Sequence, residues 1–198
     1  RWVRTLAIAM SLLATPLWLA FAYQPEWLPR SLAFIGAQKV GPIPLYVQFF
    51  VAEVGIDIIR MATIHTPSPL ATALGIIAAF MIGEVAISVG LLVPEVILYM
   101  SAAAIGSFAT PSMELSQSFK LFRLLLLTLA AIFQVPGVVA GVLLITVWAA
   151  ATRSFGVPYL WPLLPFNGQA LIAIIMRKPV PVSRSRPSIV KPGDEDRL

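Results

Sequence analysis

The sequence predicts an all-α membrane protein, with about four transmembrane helices plus interfacial amphipathic helices, and three observations carry that prediction. Hydrophobic residues make up 59% of the chain and charged residues only 12%, about half the roughly 25% of soluble domains. Mean hydropathy is +0.88. Apolar runs at 5–23, 70–92 (interrupted only by Glu84) and 124–152 meet or approach the roughly 20 residues that span about 30 Å of hydrocarbon.

The first helix, 5–23, contains Pro16, which removes a backbone donor and predicts a kink. Trp2, Trp18, Tyr23 and Trp27 lie towards its ends, where interfacial aromatics belong. A secretory signal could also begin this way, but the uncharged run is longer than an h-region and a hydrophobic protein follows it. The loop 24–39 carries Glu26, Arg30 and Lys39 and should be wet. In the next segment Glu53, Asp57 and Arg60 stand at i, i+4 and i+7, which places them in one polar stripe on a helix. Each costs roughly 2.5–3.5 kcal/mol at a bilayer centre. Residues 45–61 therefore read as an interfacial amphipathic helix, either lying flat with Asp57 and Arg60 loosely paired or lining an aqueous path in an oligomer. The T-I-H-T-P-S-P that follows is a connecting loop, and its His65, the only histidine, has no neighbouring ligand residues, so no metal site is expected.

Helix two spans 70–92. Pro94-Glu95 starts the next helix, since proline suits a first turn and a carboxylate complements the dipole there. Its uncharged part, 96–109, is short for a full crossing. Ala102/Gly106 and Ala103/Ser107 form small-xxx-small pairs, which predict tight helix packing. Thr110-Pro111 restarts the chain, and 113–123, with Leu115, Phe119 and Phe122 on one face, reads as a second amphipathic helix. Helix four, 124–152, is long enough to cross with tilt, and Pro136-Gly137 should break or kink it. Such a break either packs against neighbours or frees backbone groups to line a cavity. Beyond Arg153, the prolines of S-F-G-V-P-Y-L-W-P-L-L-P-F-N forbid a regular helix. Residues 1–176 thus form a multi-pass membrane domain and 177–198 a basic, proline-rich tail that reads as disordered. The tail holds six Lys/Arg against three Asp/Glu, enough to attract anionic lipid headgroups. Four crossings would put Arg1, Arg4, Arg153 and the tail on the cytoplasmic side, as the positive-inside rule asks.

No phosphate loop, H-E-x-x-H set or G-x-S-x-G elbow occurs, and cysteine is absent. Enzyme chemistry, a cofactor and a nucleic-acid partner are not expected. What remains is a group of acids in or beside apolar segments: Glu53, Asp57, Glu84, Glu95 and Glu114. Ionisable residues at membrane depth are candidates for function, so Glu84, Glu53, Asp57 and Glu95 are candidate ion-pathway groups. Glu84 has a plainer alternative, a protonated carboxyl hydrogen-bonded to a neighbouring helix through Gln134. Arg60, Gln134, Pro136, Gly137 and Gly106 are candidate structural or interface positions.

The stretches Q-K-V-G-P-I-P, V-A-E-V-G-I-D-I-I-R, I-G-E-V-A-I-S-V-G-L-L-V-P-E-V-I-L-Y-M, A-I-G-S-F-A-T-P-S-M-E-L and R-S-F-G-V-P-Y-L-W-P-L-L-P-F-N-G resemble, in this order, the membrane domain of the GerA spore germination family. The I-G-E-V-A and Y-L-W-P-L-L-P-F-N-G versions look more like the stage V sporulation AF branch than the nutrient-receptor A subunits, where Gln is expected more often at the place of Glu84. The resemblance implies a multi-pass protein of the bacterial spore inner membrane. It further implies a homo-oligomer that works with other germination proteins in ion release. The family's large soluble domain before the first helix is not in this sequence, so a fragment of a longer protein is expected.

Overall fold

Four α-helices carry the described architecture: α1 Trp2–Tyr23, α2 Leu45–His65, α3 Pro94–Phe108 and α4 Met113–Ala151. The computed structural model describes residues 2–29, 36, 41–65, 77, 80–81, 83–154, 157–164, 166–168 and 170–171. Residues 70–76, 78–79 and 82 of the expected second helix, the T-P-S-P loop and the tail 177–198 lie outside them. Both α1 and α4 are long and apolar enough to cross a membrane. The chain divides into two compact units, Val3–Val142 and Leu143–Leu198 together with Arg1–Trp2.

The core of the first unit is built where apolar faces of all four helices meet: Trp18, Leu19 and Ala20 from α1, Phe49 from α2, Val96 and Met100 from α3, and Leu127, Ala130 and Val138 from α4. Trp18, expected at an interface, is buried instead. Its ring stacks on Tyr99 at 5.3 Å and meets Phe49 edge-on at 5.6 Å, so an aromatic body near a helix end has gone to packing. α1 runs unbroken through Pro16, which is itself buried. Small residues set the approach of α1 and α3, as their spacing predicts. Ala103, Gly106 and Ser107 are buried, and a Cβ on Gly106 would run into the Ala7 carbonyl oxygen and come within 2.8 Å of Ser11 Cβ.

α2 extends to His65, past the end expected at residue 61, and so takes in the start of the predicted loop. Its Gln48 side chain is fully buried and joins two loops: Nε2 donates to the Ile43 carbonyl at 2.8 Å, and Oε1 accepts from Val93 N–H at 2.8 Å. Residues 83–88 are helical and stop at Gly90, which takes a φ of +75°. The Leu91 N–H then reaches back to the Ala86 carbonyl at 2.9 Å, a glycine-terminated helix end.

α4 absorbs both the predicted amphipathic helix 113–123 and the predicted crossing 124–152, but it is not one straight rod. A continuous helix of 39 residues would be about 58 Å long. At Gln134 the backbone leaves the helical region, with φ 59° and ψ −135°. A Cβ on Gly141 would lie 2.6 Å from Leu126 Cδ2 and 2.8 Å from Leu129 Cδ1. In a straight helix residues 126 and 141 stand roughly 22 Å apart, so 137–141 fold back along 125–133. Pro136 explains the break: it has no N–H to donate and its ring would crowd the carbonyl four residues earlier. It now stands in the first turn of the second arm, where proline is favoured. Gln24, just past α1, caps that arm by accepting from Val135 N–H at 3.4 Å.

In the second unit α4 ends at Ala151, and the hydroxyl of the next residue, Thr152, donates to the Trp148 carbonyl at 2.9 Å. Arg153–Ser154 pairs antiparallel with Val157–Pro158, and Tyr159 N–H returns to the Thr152 carbonyl at 3.0 Å. Turns through 159–164 follow, as the prolines require.

Candidate functional site

The polar stripe of α2 faces inward. Glu53 is 3% exposed and Arg60 6%, so the helix does not lie flat on a surface with its charges in water. α4 presents a matching stripe, Ser116, Lys120 and Arg123, at i, i+4 and i+7. Because the stripes run in opposite directions, they meet rung by rung.

The first rung is the most buried. Arg123 Nη2 bonds Glu53 Oε1 and Arg123 Nε bonds Glu53 Oε2 at 3.1 Å, a bidentate pairing of guanidinium and carboxylate. The third nitrogen, Nη1, donates to the carbonyl and hydroxyl oxygens of Ser11 on α1, at 2.8 and 3.1 Å. In the second rung Lys120 Nζ donates to Asp57 Oδ2 at 2.7 Å, with side chains 18% and 32% exposed. In the third, Arg60 donates from Nη2 to Ser107 Oγ at 2.5 Å and from Nη1 to Ser116 Oγ at 3.3 Å. Ser116 Oγ donates in turn to the Ser107 carbonyl at 3.2 Å, and the Arg60 guanidinium lies over the Phe108 ring at 5.2 Å.

This ladder ties α2 to α4 along its length, to α1 at one end and to α3 at the other. The salt bridges cross between helices, in place of the expected Asp57–Arg60 pair within α2. Neutralising Glu53 and Asp57 with Arg123 and Lys120 removes much of the cost of holding these charges among apolar helices. Gly106 belongs to the same structure, since it lets α1 come close enough for Ser11 to reach Arg123.

The remaining predicted residues lie apart from the ladder. Glu84 is exposed on the 83–88 helical stretch and has no hydrogen-bond partner among the described residues, so it does not join Gln134. Gln134 and Pro136 form the fold-back of α4, and a Cβ on Gly137 would collide with the Leu129 carbonyl oxygen. Glu95 stands half-buried in the first turn of α3, and Glu114 is exposed. Among the described residues no group of three metal-ligating side chains comes together. Ser11, Ser107, Lys120 and Arg123 were not among the predicted site residues. The readable signal was S-x-x-x-K-x-x-R at 116–123, which repeats the 4-then-3 spacing of E-x-x-x-D-x-x-R at 53–60.

Two helices long and apolar enough to cross a membrane, with exposed hydrocarbon faces and charges paired between helices, fit a helical protein of the membrane type. Residues 1–189 match the family described as Bacillus/Clostridium GerA spore germination protein, and the chain belongs to that family. It is 50% identical to stage V sporulation protein AF of Bacillus subtilis (strain 168) over 192 residues, which is 97% of this chain and 39% of that protein. This agrees with the branch expected from I-G-E-V-A. Spore germination protein KA of the same organism is 32% identical over 100% of this chain and 37% of its own length. A further relative there, named uncharacterized membrane protein YfkQ, is 26% identical over 98% and 38%. The chain thus spans about two fifths of the length of these relatives. No solved structure matches.

Proposed function

We propose that this chain is the membrane part of a spore germination protein of the spore inner membrane, acting with other germination proteins as a subunit of an oligomeric ion-conducting assembly and performing no enzymatic chemistry. The observation that supports the reading is the contrast between the ladder and Glu84. In the ladder each carboxylate is matched by a cation from another helix, so Glu53 and Asp57 hold the framework. Glu84 stands exposed among Phe80, Met81, Val85, Ile87 and Val89, which are exposed as well. A carboxylate facing lipid costs roughly 2.5–3.5 kcal/mol at the bilayer centre, whereas a ring of carboxylates facing a water-filled path attracts cations. This face therefore belongs against a neighbouring copy or an aqueous path, with Glu95 on the same route.

The test is Glu84→Gln in the full-length protein, with potassium release followed from germinating spores. Altered rate or selectivity is expected; release unchanged in both removes Glu84 from the pathway. Purified full-length protein in liposomes provides the second arm, since a stable oligomer that passes no ions would favour a non-conducting scaffold that clusters germination proteins.

A further inference from the structure

We propose that the fold-back of α4 is a sprung hairpin, with Gln134 as its hinge and the Gln24 side chain as its catch. Three independent features converge on the bend. Gln134 is the one non-glycine residue at positive φ among the described residues, and its pairing of φ 59° with ψ −135° is a conformation that L side chains rarely adopt. Strain of this kind persists only where the surroundings enforce it.

The enforcement is visible on both sides of the bend. Gly137 and Gly141 let the second arm lie against Leu126, Leu129 and Phe133 with no room for a Cβ, and Val138 from that arm inserts into the core. At the tip, the Val135 N–H begins a new helical arm and has no carbonyl of its own arm to bond. It donates to Gln24 Oε1 across 3.4 Å, the long end of hydrogen-bond range. The catch comes from the residue that follows α1 and is weak, whereas the strain it opposes is local. Opening the hairpin relaxes Gln134 and swings 135–142 away from 125–133, baring the Gly137/Gly141 seam. The ladder, which holds α4 through 116–123, stays closed during that motion.

Because the chain has no cysteine of its own, opening can be read by thiol labelling. Val138→Cys is placed in the full-length protein carrying no other thiol, in native membranes, and its labelling rate by a small membrane-permeant thiol reagent is measured. Val138 is 3% exposed, so labelling follows the open population. Ala103→Cys on α3, from a site with no exposure, reports general loosening of the bundle in a parallel sample. Gln24→Met keeps the length of the side chain and removes the acceptor. It is expected to raise Val138→Cys labelling about twofold, the equivalent of a hydrogen bond at the weak end of the ordinary range, and to leave Ala103→Cys unchanged. Gln24→Glu keeps an acceptor beside a helix N-terminus and should restore the original rate. Gln134→Gly removes the strain of the bend and should slow labelling at Val138→Cys by at least about fivefold. A rate at Val138→Cys that neither Gln24→Met nor Gln134→Gly moves, or that rises in step with Ala103→Cys, overturns the proposal.

Discussion

Arg123 brings three nitrogens to two helices, and only one of its partners carries charge. Glu53→Gln keeps the shape of that partner and removes its charge, leaving a guanidinium 2% exposed without a counter-ion. Breaking a buried pair from one side costs about 3–5 kcal/mol, whereas exchanging both members for apolar side chains of similar volume is often neutral. We therefore expect a markedly lower unfolding midpoint for Glu53→Gln in detergent, with most of it recovered in the double variant Glu53→Met/Arg123→Met. Equal loss in both would mean that the charges, not just their balance, hold the fold. Asp57→Asn should cost less, about 0–1 kcal/mol, because the Lys120–Asp57 pair is partly open to its surroundings. Gly106→Ala tests the approach of α1 to α3: the added methyl meets backbone, which cannot rotate away, so a loss of about 1–3 kcal/mol is expected.

At the scale of an element, α4 shows how proline chemistry and tertiary packing divide the work. Pro136-Gly137 marked a break in advance, because a missing donor and a steric clash are local properties. The break falls at Gln134, and its size follows from Gly137 and Gly141 packing on the preceding turns. Gly137→Ala should therefore disrupt the fold-back, since its Cβ would run into the Leu129 carbonyl and Phe133 Cβ. The same substitution in an exposed straight helix would stabilise by about 1 kcal/mol. The sign of the change in thermal stability thus separates a folded hairpin from a straight helix.

For the whole molecule, charge distribution determines which side of a membrane each end takes. Arg4 and Arg153 are both exposed; we propose an even number of passes, which would put both on the cytoplasmic face as the positive-inside rule asks. Single cysteines replacing Arg4 and Arg153 in the full-length protein should react with an impermeant thiol reagent from that same face. Reaction from opposite faces would give an odd number of passes. The bundle itself, with an apolar α1 of full crossing length and many large apolar side chains exposed, suits hydrocarbon outside and paired charge inside.

Composition and apolar run length determined the helical, membrane-type class by themselves, because desolvated backbone must bond within its own helix. The small-residue spacing of 102–107 announced tight packing of α3, though not that α1 is the partner, and the ordered GerA motifs announced the family. The i, i+4, i+7 stripe of α2 was legible as a stripe, but the direction it faces was not. One helix carries no record of which partner stripe neutralises it, and residues 53 and 123, 57 and 120, 60 and 116 come together only when α2 and α4 pack antiparallel. Trp18 was read as interfacial and Gln24 as part of a wet loop, but one is core and the other a cap, since the same side chain serves an interface, a core or a cap according to what folds against it. Periodicity is written locally along the chain, whereas the pairing of charges across 63 and 70 residues exists only in the assembled bundle.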